Sequence, residues 1–104
     1  MPDYQRQRDH MVDVQIARRG IRDAHVLAAM RTVPRERFVS PEMAEFAYED
    51  SPLPIEEGQT ISQPYIVAGM ISTAEIRPGD SVLEVGAGSG YAAAVLSQIA
   101  DRVH

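Results

Sequence analysis

Glu84 and the glycines that follow it at alternate positions, Gly86, Gly88 and Gly90, are the residues here best suited to hold a ligand. They come after the apolar pair Val82-Leu83 and before residues 91–100, a stretch rich in alanine and other helix formers. That order reads as a buried strand, a tight turn and a helix N-terminus. Glycine has no Cβ and tolerates φ > 0, so the backbone of such a turn can come close to a bound molecule. A dinucleotide-binding turn is spaced G-x-G-x-x-G, with the third glycine packing helix on strand and the helix seating a pyrophosphate. Here Gly90 comes one place early and Tyr91 takes the last position, a poor fit to a nicotinamide cofactor. The spacing suits a small zwitterionic ligand, or else a strand–helix turn with no ligand at all. Glu84, at the strand end, faces the crevice where open α/β sheets bind ligands, or caps the amides of the turn.

A second group is Gly58-Gln59-Thr60-Ile61-Ser62-Gln63-Pro64. Ser62 has two readings: a cap whose hydroxyl accepts the Tyr65 amide at a helix start, or a group that meets substrate. On residue types alone the cap is the weightier reading. A serine nucleophile needs an adjacent base, and His10, His25 and His104 lie far from Ser62 in sequence. Nor do these histidines show metal-ligand spacing. The acidic pairs Glu49-Asp50 and Glu56-Glu57 read as a solvated loop.

These groups need elements to place them. Residues 3–19 form a helix with a stripe of Met11, Val12, Gln15 and Ile16 and arginines on its other faces, stopped by Gly20. A second helix covers residues 24–32, capped by Asp23 and ended by Pro34, with Val26, Leu27, Met30 and Val33 inward. Arg35 to Phe38 make a link with one apolar anchor, and a brief helix covers residues 41–47. Residues 48–63 lose periodicity, and a loop this long is functional or disordered. Pro64 opens a helix to about residue 75 that buries Ile66, Val67, Met70, Ile71 and Ala74. Residues 81–85 are the strand, and Val103 starts another. A lone strand leaves its backbone groups unpaired, so the chain is expected to be part of a larger α/β domain or to complete its sheet with another chain.

Bulk properties narrow the class. The 104 residues fit one small domain, and the 44% apolar content is that of a folded protein. A net charge of −5 argues against nucleic acid as partner. All ten basic residues are arginine, which reads as compositional bias. Without cysteine there are no disulfides or thiolate metal sites. No signal-like or membrane-spanning apolar run is seen, so a cytoplasmic location away from membranes is expected.

Several segments together resemble the N-terminal half of protein-L-isoaspartate O-methyltransferases. They are Met11-Val12-Asp13, Gln15-Ile16, Arg19-Gly20-Ile21, Val33-Pro34-Arg35-Glu36-Arg37-Phe38-Val39, Ala47-Tyr48, Asp50, Pro52-Leu53-Pro54-Ile55, the run from Gly58 to Pro64, and the glycine turn. The turn is common to many S-adenosylmethionine enzymes, whereas Gly-Gln-Thr-Ile-Ser-Gln-Pro is much more specific. The resemblance implies an α/β, Rossmann-like S-adenosylmethionine-dependent methyltransferase fold. Residues 1–63 would be a helical region and substrate loop, and residues 64–104 the start of the Rossmann-like part, cut off after its first strand and following helix. It implies methyl transfer to the free carboxylate of L-isoaspartyl (and D-aspartyl) residues in damaged proteins, with such proteins or peptides as partners and S-adenosyl-L-methionine as cofactor. Ser62 is then the active-site residue, and Gln59, Thr60, Ile61 and Ser62 join Glu84, Gly86, Gly88 and Gly90 at the cofactor. Glu56 stands where the family often has glycine, a change in loop shape. The acidic end of a second strand, expected to hold the cofactor ribose, lies past His104, so the 104-residue chain is expected to transfer methyl weakly or not at all. A non-catalytic interaction module is the alternative, and the sequence leaves oligomeric state open.

Overall fold

The computed structural model describes residues 2–84 and 88–104. Helix α1, Tyr4–Met11, starts where the Asp3 carboxylate accepts the Arg6 amide at 3.0 Å. It runs on through a π turn, Val12–Ile16, in which the Ala17 amide reaches back to both Val12 and Asp13. A 3₁₀ turn, Ala17–Arg19, then ends at Gly20 with φ +103°, a left-handed stop that glycine adopts without strain. The expected inward stripe is present, since Met11, Val12, Gln15 and Ile16 are all buried. One of the helix's arginines does not face outward as expected. Arg8 is buried, its guanidinium held by Tyr48, Gln5 and Glu36.

Helix α2 spans Ala24–Thr32 as its signals predict, with the Asp23 carboxylate accepting the His25 and Val26 amides. Val33, before Pro34, is extended. The link Arg35–Phe38 is a 3₁₀ turn whose buried member is Arg35, at 0% exposure, while Phe38 is half-buried. Another 3₁₀ stretch follows at Pro41–Phe46.

Residues 48–63 are ordered by pairing rather than periodicity. Strands β1, Leu53–Pro54, and β2, Thr60–Ile61, pair antiparallel, with Leu53 opposite Ile61. Tyr48, Leu53 and Ile61 pin the segment to the core. Helix α3, Pro64–Thr73, buries Val67, Ala68 and Ile71. Ile66, Met70 and Ala74, expected inward, are exposed. The helix is apolar on nearly every face, so composition does not show which face packs. Strand β3, Ser81–Val82, and strand β4, Arg102–Val103, run parallel, joined by helix α4, Tyr91–Ser97. The ladder continues past β3, because the Glu84 amide donates to the His104 carbonyl at 2.9 Å. This β–α–β unit supplies the neighbour a lone strand lacks. One apolar cluster runs from Met11 to Ile99 and takes in every helix. Among the described residues no helix is long and apolar enough to cross a membrane, and no group of three or more candidate ligands could hold a metal.

Candidate cofactor site

A cavity of about 400 Å³ opens where β2, α3, the end of β3 and the start of α4 converge. Thr60, Ile61, Ser62, Glu84 and Gly88 line it, so sites 24 residues apart in sequence meet on one wall. Met70 and Leu83, both largely exposed, and Tyr91 form much of the apolar remainder. Gln59 lies elsewhere. It borders an adjoining groove with Arg37, Ser40 and Glu56, which meets the cavity at Gly88 and Ser89. Gly90 is the residue before α4, at φ +82°, with the Phe38 ring 3.9 Å from where a Cβ would stand. Gly86 lies outside the described residues.

Ser62 is exposed and its hydroxyl makes no hydrogen bond among the described residues. Helix α3 begins at Pro64 without a side-chain cap, so the capping reading of Ser62 does not hold. Proline at the first turn already lacks one of the amides a cap would satisfy. A serine that the sequence reading passed over makes a local turn bond just before α4 instead. Ser89 accepts the Tyr91 amide at 3.1 Å and lines both the cavity and the adjoining groove.

The Glu84 carboxylate carries the site's electrostatics. Its Oε2 is buried and lacks a hydrogen-bond partner among the described residues. A carboxylate oxygen in that state is costly until a donor reaches it. An ammonium or N–H group on a ligand would supply such a donor.

The approach to the site is held by a clamp. Arg19 donates through both Nη atoms to the two oxygens of Asp50, one at 3.0 Å, and Gln63 Nε2 donates to Asp50 Oδ1 at 2.7 Å. Arg19 also lies over the Tyr65 ring, 5.4 Å from its centroid. These bonds, that from Arg19 first and that from Gln63 second, hold the Asp50 carboxyl below the usual carboxylate range. Asp50 is thus a tether and not simply part of a solvated acidic run.

Behind the loop, Tyr48 anchors a buried network. Its hydroxyl accepts from Arg8 Nε at 2.9 Å and donates to Glu36 Oε1, while Arg8 Nη2 pairs with Glu36 at 3.1 Å. Burial pushes Glu36 up, but the bonds from Tyr48 and Arg8 outweigh it and leave its carboxyl below the ordinary value. Burial first, and then the bond to Glu36, push the Tyr48 hydroxyl well up, so it stays protonated and donates.

Known proteins share this fold. Residues 6–104 match the family model described as protein-L-isoaspartate(D-aspartate) O-methyltransferase. A protein-L-isoaspartate O-methyltransferase 1 of Rhodopseudomonas palustris is 64% identical over 97 residues, 93% of this chain and 40% of the relative. One from Protochlamydia amoebophila is 64% identical over 94 residues, 90% of this chain and 45% of its own. A solved protein-L-isoaspartate O-methyltransferase superposes with TM-score 0.74 at 33% identity, covering 88% of this chain and 30% of that one. A Plasmodium falciparum structure, described as such an enzyme in complex with S-adenosyl-L-homocysteine, superposes at 0.72 and 30% identity, covering 86% of this chain and 40% of its own. The chain thus spans under half the length of the relatives it matches. From the match over residues 6–104 and the shared fold, the chain belongs to the protein-L-isoaspartate(D-aspartate) O-methyltransferase family.

Proposed function

We propose that this chain carries the methyl-donor site of an enzyme that moves a methyl group from S-adenosyl-L-methionine to the free carboxylate of L-isoaspartyl and D-aspartyl residues in damaged proteins. The observation that carries this reading is that the Glu84 oxygen and the Ser62 hydroxyl, neither with a hydrogen-bond partner among the described residues, line the same cavity. The residues fit the cofactor. Glu84 offers a charge partner to the ammonium of its methionine end, Gly88 and Ser89 offer a turn of close backbone, and Met70, Leu83 and Tyr91 offer an apolar wall. When bound, the cofactor supplies a reactive sulfonium methyl group.

The chain's own part is alignment. The substrate carboxylate, with a pKa of ~4, is ionised at neutral pH, so no general base is required. Ser62 donates its hydroxyl to one carboxylate oxygen and leaves the other free to attack. A neutral donor orients this nucleophile without the quenching that a buried cation would impose. Good alignment of two bound reactants contributes roughly 7–11 kcal/mol to a reaction of this kind. The adjoining groove, bordered by Arg37, Gln59 and Glu56, receives the peptide on either side of the reacting residue.

Calorimetric titration with S-adenosyl-L-homocysteine tests this. Saturable binding is expected for the folded wild-type chain, and Glu84→Gln is expected to weaken it by about 10–100-fold, the loss of one hydrogen bond to a charged group. A folded wild-type chain that gives no binding heat, or a Glu84→Gln variant that binds as tightly as wild type, would overturn the proposal.

A further inference from the structure

The two largest side chains wholly out of solvent among the described residues, Arg35 and Tyr91, are stacked on each other. The guanidinium carbon of Arg35 is 4.8 Å from the Tyr91 ring centroid. Its Nε donates to the Ala47 carbonyl at 2.6 Å, but Nη1 and Nη2 have no hydrogen-bond partner among the described residues. The neighbouring carboxylate of Glu36 is turned to Arg8 and Tyr48 instead. A buried cation with two unmet donors is a poor choice for stability alone, since an apolar side chain of that volume would fill the space without the cost. What the cation does is grip two segments. Tyr91 opens α4 directly after residues 88–90 and borders the cavity, and Phe38 meets its ring edge-on at 5.6 Å. Ala47 leads through Tyr48 and Asp50 into the loop that carries residues 60–62.

We infer that Arg35 is a positioning residue of the methyl-donor site. Through the Tyr91 ring it fixes the turn at residues 88–90, and through the Ala47 carbonyl it ties that turn to the segment bearing Ser62. This inference rests on the function proposed above for its meaning, though not for its test. The charge over the ring carries the larger part of the role, and the Nε–H bond to the Ala47 carbonyl the smaller part.

The test compares Arg35→Met and Arg35→Lys by amide hydrogen exchange and by titration with S-adenosyl-L-homocysteine. In Arg35→Met, amides 88–92 are expected to exchange about tenfold faster while those of α3 change less than about threefold, and affinity to fall about tenfold. Arg35→Lys keeps a cation over the ring and is expected to restore affinity to within about threefold of wild type. Equal acceleration in α3 and in the turn, or a lysine variant that binds no better than the methionine variant, would make Arg35 mere core filling. If Arg35→Met does not fold, Tyr91→Leu removes the ring but keeps the cation, and must loosen residues 88–92 in the same selective way. Should the wild-type chain bind no S-adenosyl-L-homocysteine, the methyl-donor reading fails, and the exchange pattern still decides whether Arg35 holds the turn.

Discussion

Tyr48→Phe removes one oxygen atom and little else. The ring keeps its packing, and Gln15 Nε2 still donates to the residue 48 carbonyl at 2.7 Å, since that bond is to backbone. What is lost is the hydroxyl that accepts from Arg8 and donates to Glu36, two side chains only 8% and 12% exposed. Each hydrogen bond to a charged group contributes about 1.5–3 kcal/mol. Arg8 and Glu36 retain each other at 3.1 Å, and Arg8 retains Gln5 at 2.8 Å, so part of the loss is recovered. The net cost is expected to be about 2–4 kcal/mol, a fall in Tm of roughly 10–25 °C for a domain of this size. Thermal and urea denaturation followed by circular dichroism would measure it. Tyr65→Phe is the internal comparison, because the Tyr65 hydroxyl makes no hydrogen bond among the described residues; it is expected to cost under about 0.5 kcal/mol. Equal losses in the two variants, or a Tyr48→Phe chain within about 0.5 kcal/mol of wild type, would refute the claim that the network stabilises the fold.

Two further outcomes follow from the same packing. Glu36 has a folded pKa below its unfolded value, so its contribution is complete above the ordinary glutamate pKa of ~4.3 and is lost as pH falls through the lower folded value. Tm is therefore expected to drop below about pH 4, and Glu36→Gln, less stable at pH 7, to show a shallower drop; parallel curves would count against this assignment. On α3, Val67→Ala is expected to cost about 1–3 kcal/mol and Met70→Ser under about 0.5, because Val67 is 5% exposed and Met70 68%. Denaturant midpoints in the reverse order would show that another face of the helix packs.

Local signals carried well from sequence to structure where one residue type has one physical consequence. Gly20 stops the first helical segment, Asp23 caps α2, Pro34 ends it, and Pro64 opens α3. The glycine turn likewise lies between a strand and a helix, although Gly86 is outside the described residues. Illegible were the interactions that depend on distant partners. Arg8 meets Tyr48 across 40 positions, and Arg35 meets Tyr91 across 56; no period reveals a buried arginine whose counterpart is that remote. Strands of two residues, such as β1 and β2, are too short to alternate visibly, so an ordered loop reads as an irregular one. In α3 the difficulty was the opposite, with too many apolar residues to mark one face. At the site, Thr60, Ile61, Ser62, Glu84 and Gly88 came from motif and resemblance, while Met70 and Ser89 emerged only from the packing.

The Arg19–Asp50–Gln63 clamp has a thermodynamic consequence for whatever enters the cavity. Its two posts, Asp50 and Gln63, are 13 positions apart and stand at either end of the segment bearing Ser62. Bringing the ends of a free segment of that length together costs about 2 kcal/mol in chain entropy. Folding bears that cost here, before any ligand arrives. An incoming molecule meets a segment whose ends are already closed, by the clamp and by Tyr48, Leu53 and Ile61 in the core, so that cost does not fall on binding. The Arg19–Asp50 pair is solvent-exposed, so salt weakens the clamp's share of this closure and couples affinity at the cavity to ionic strength.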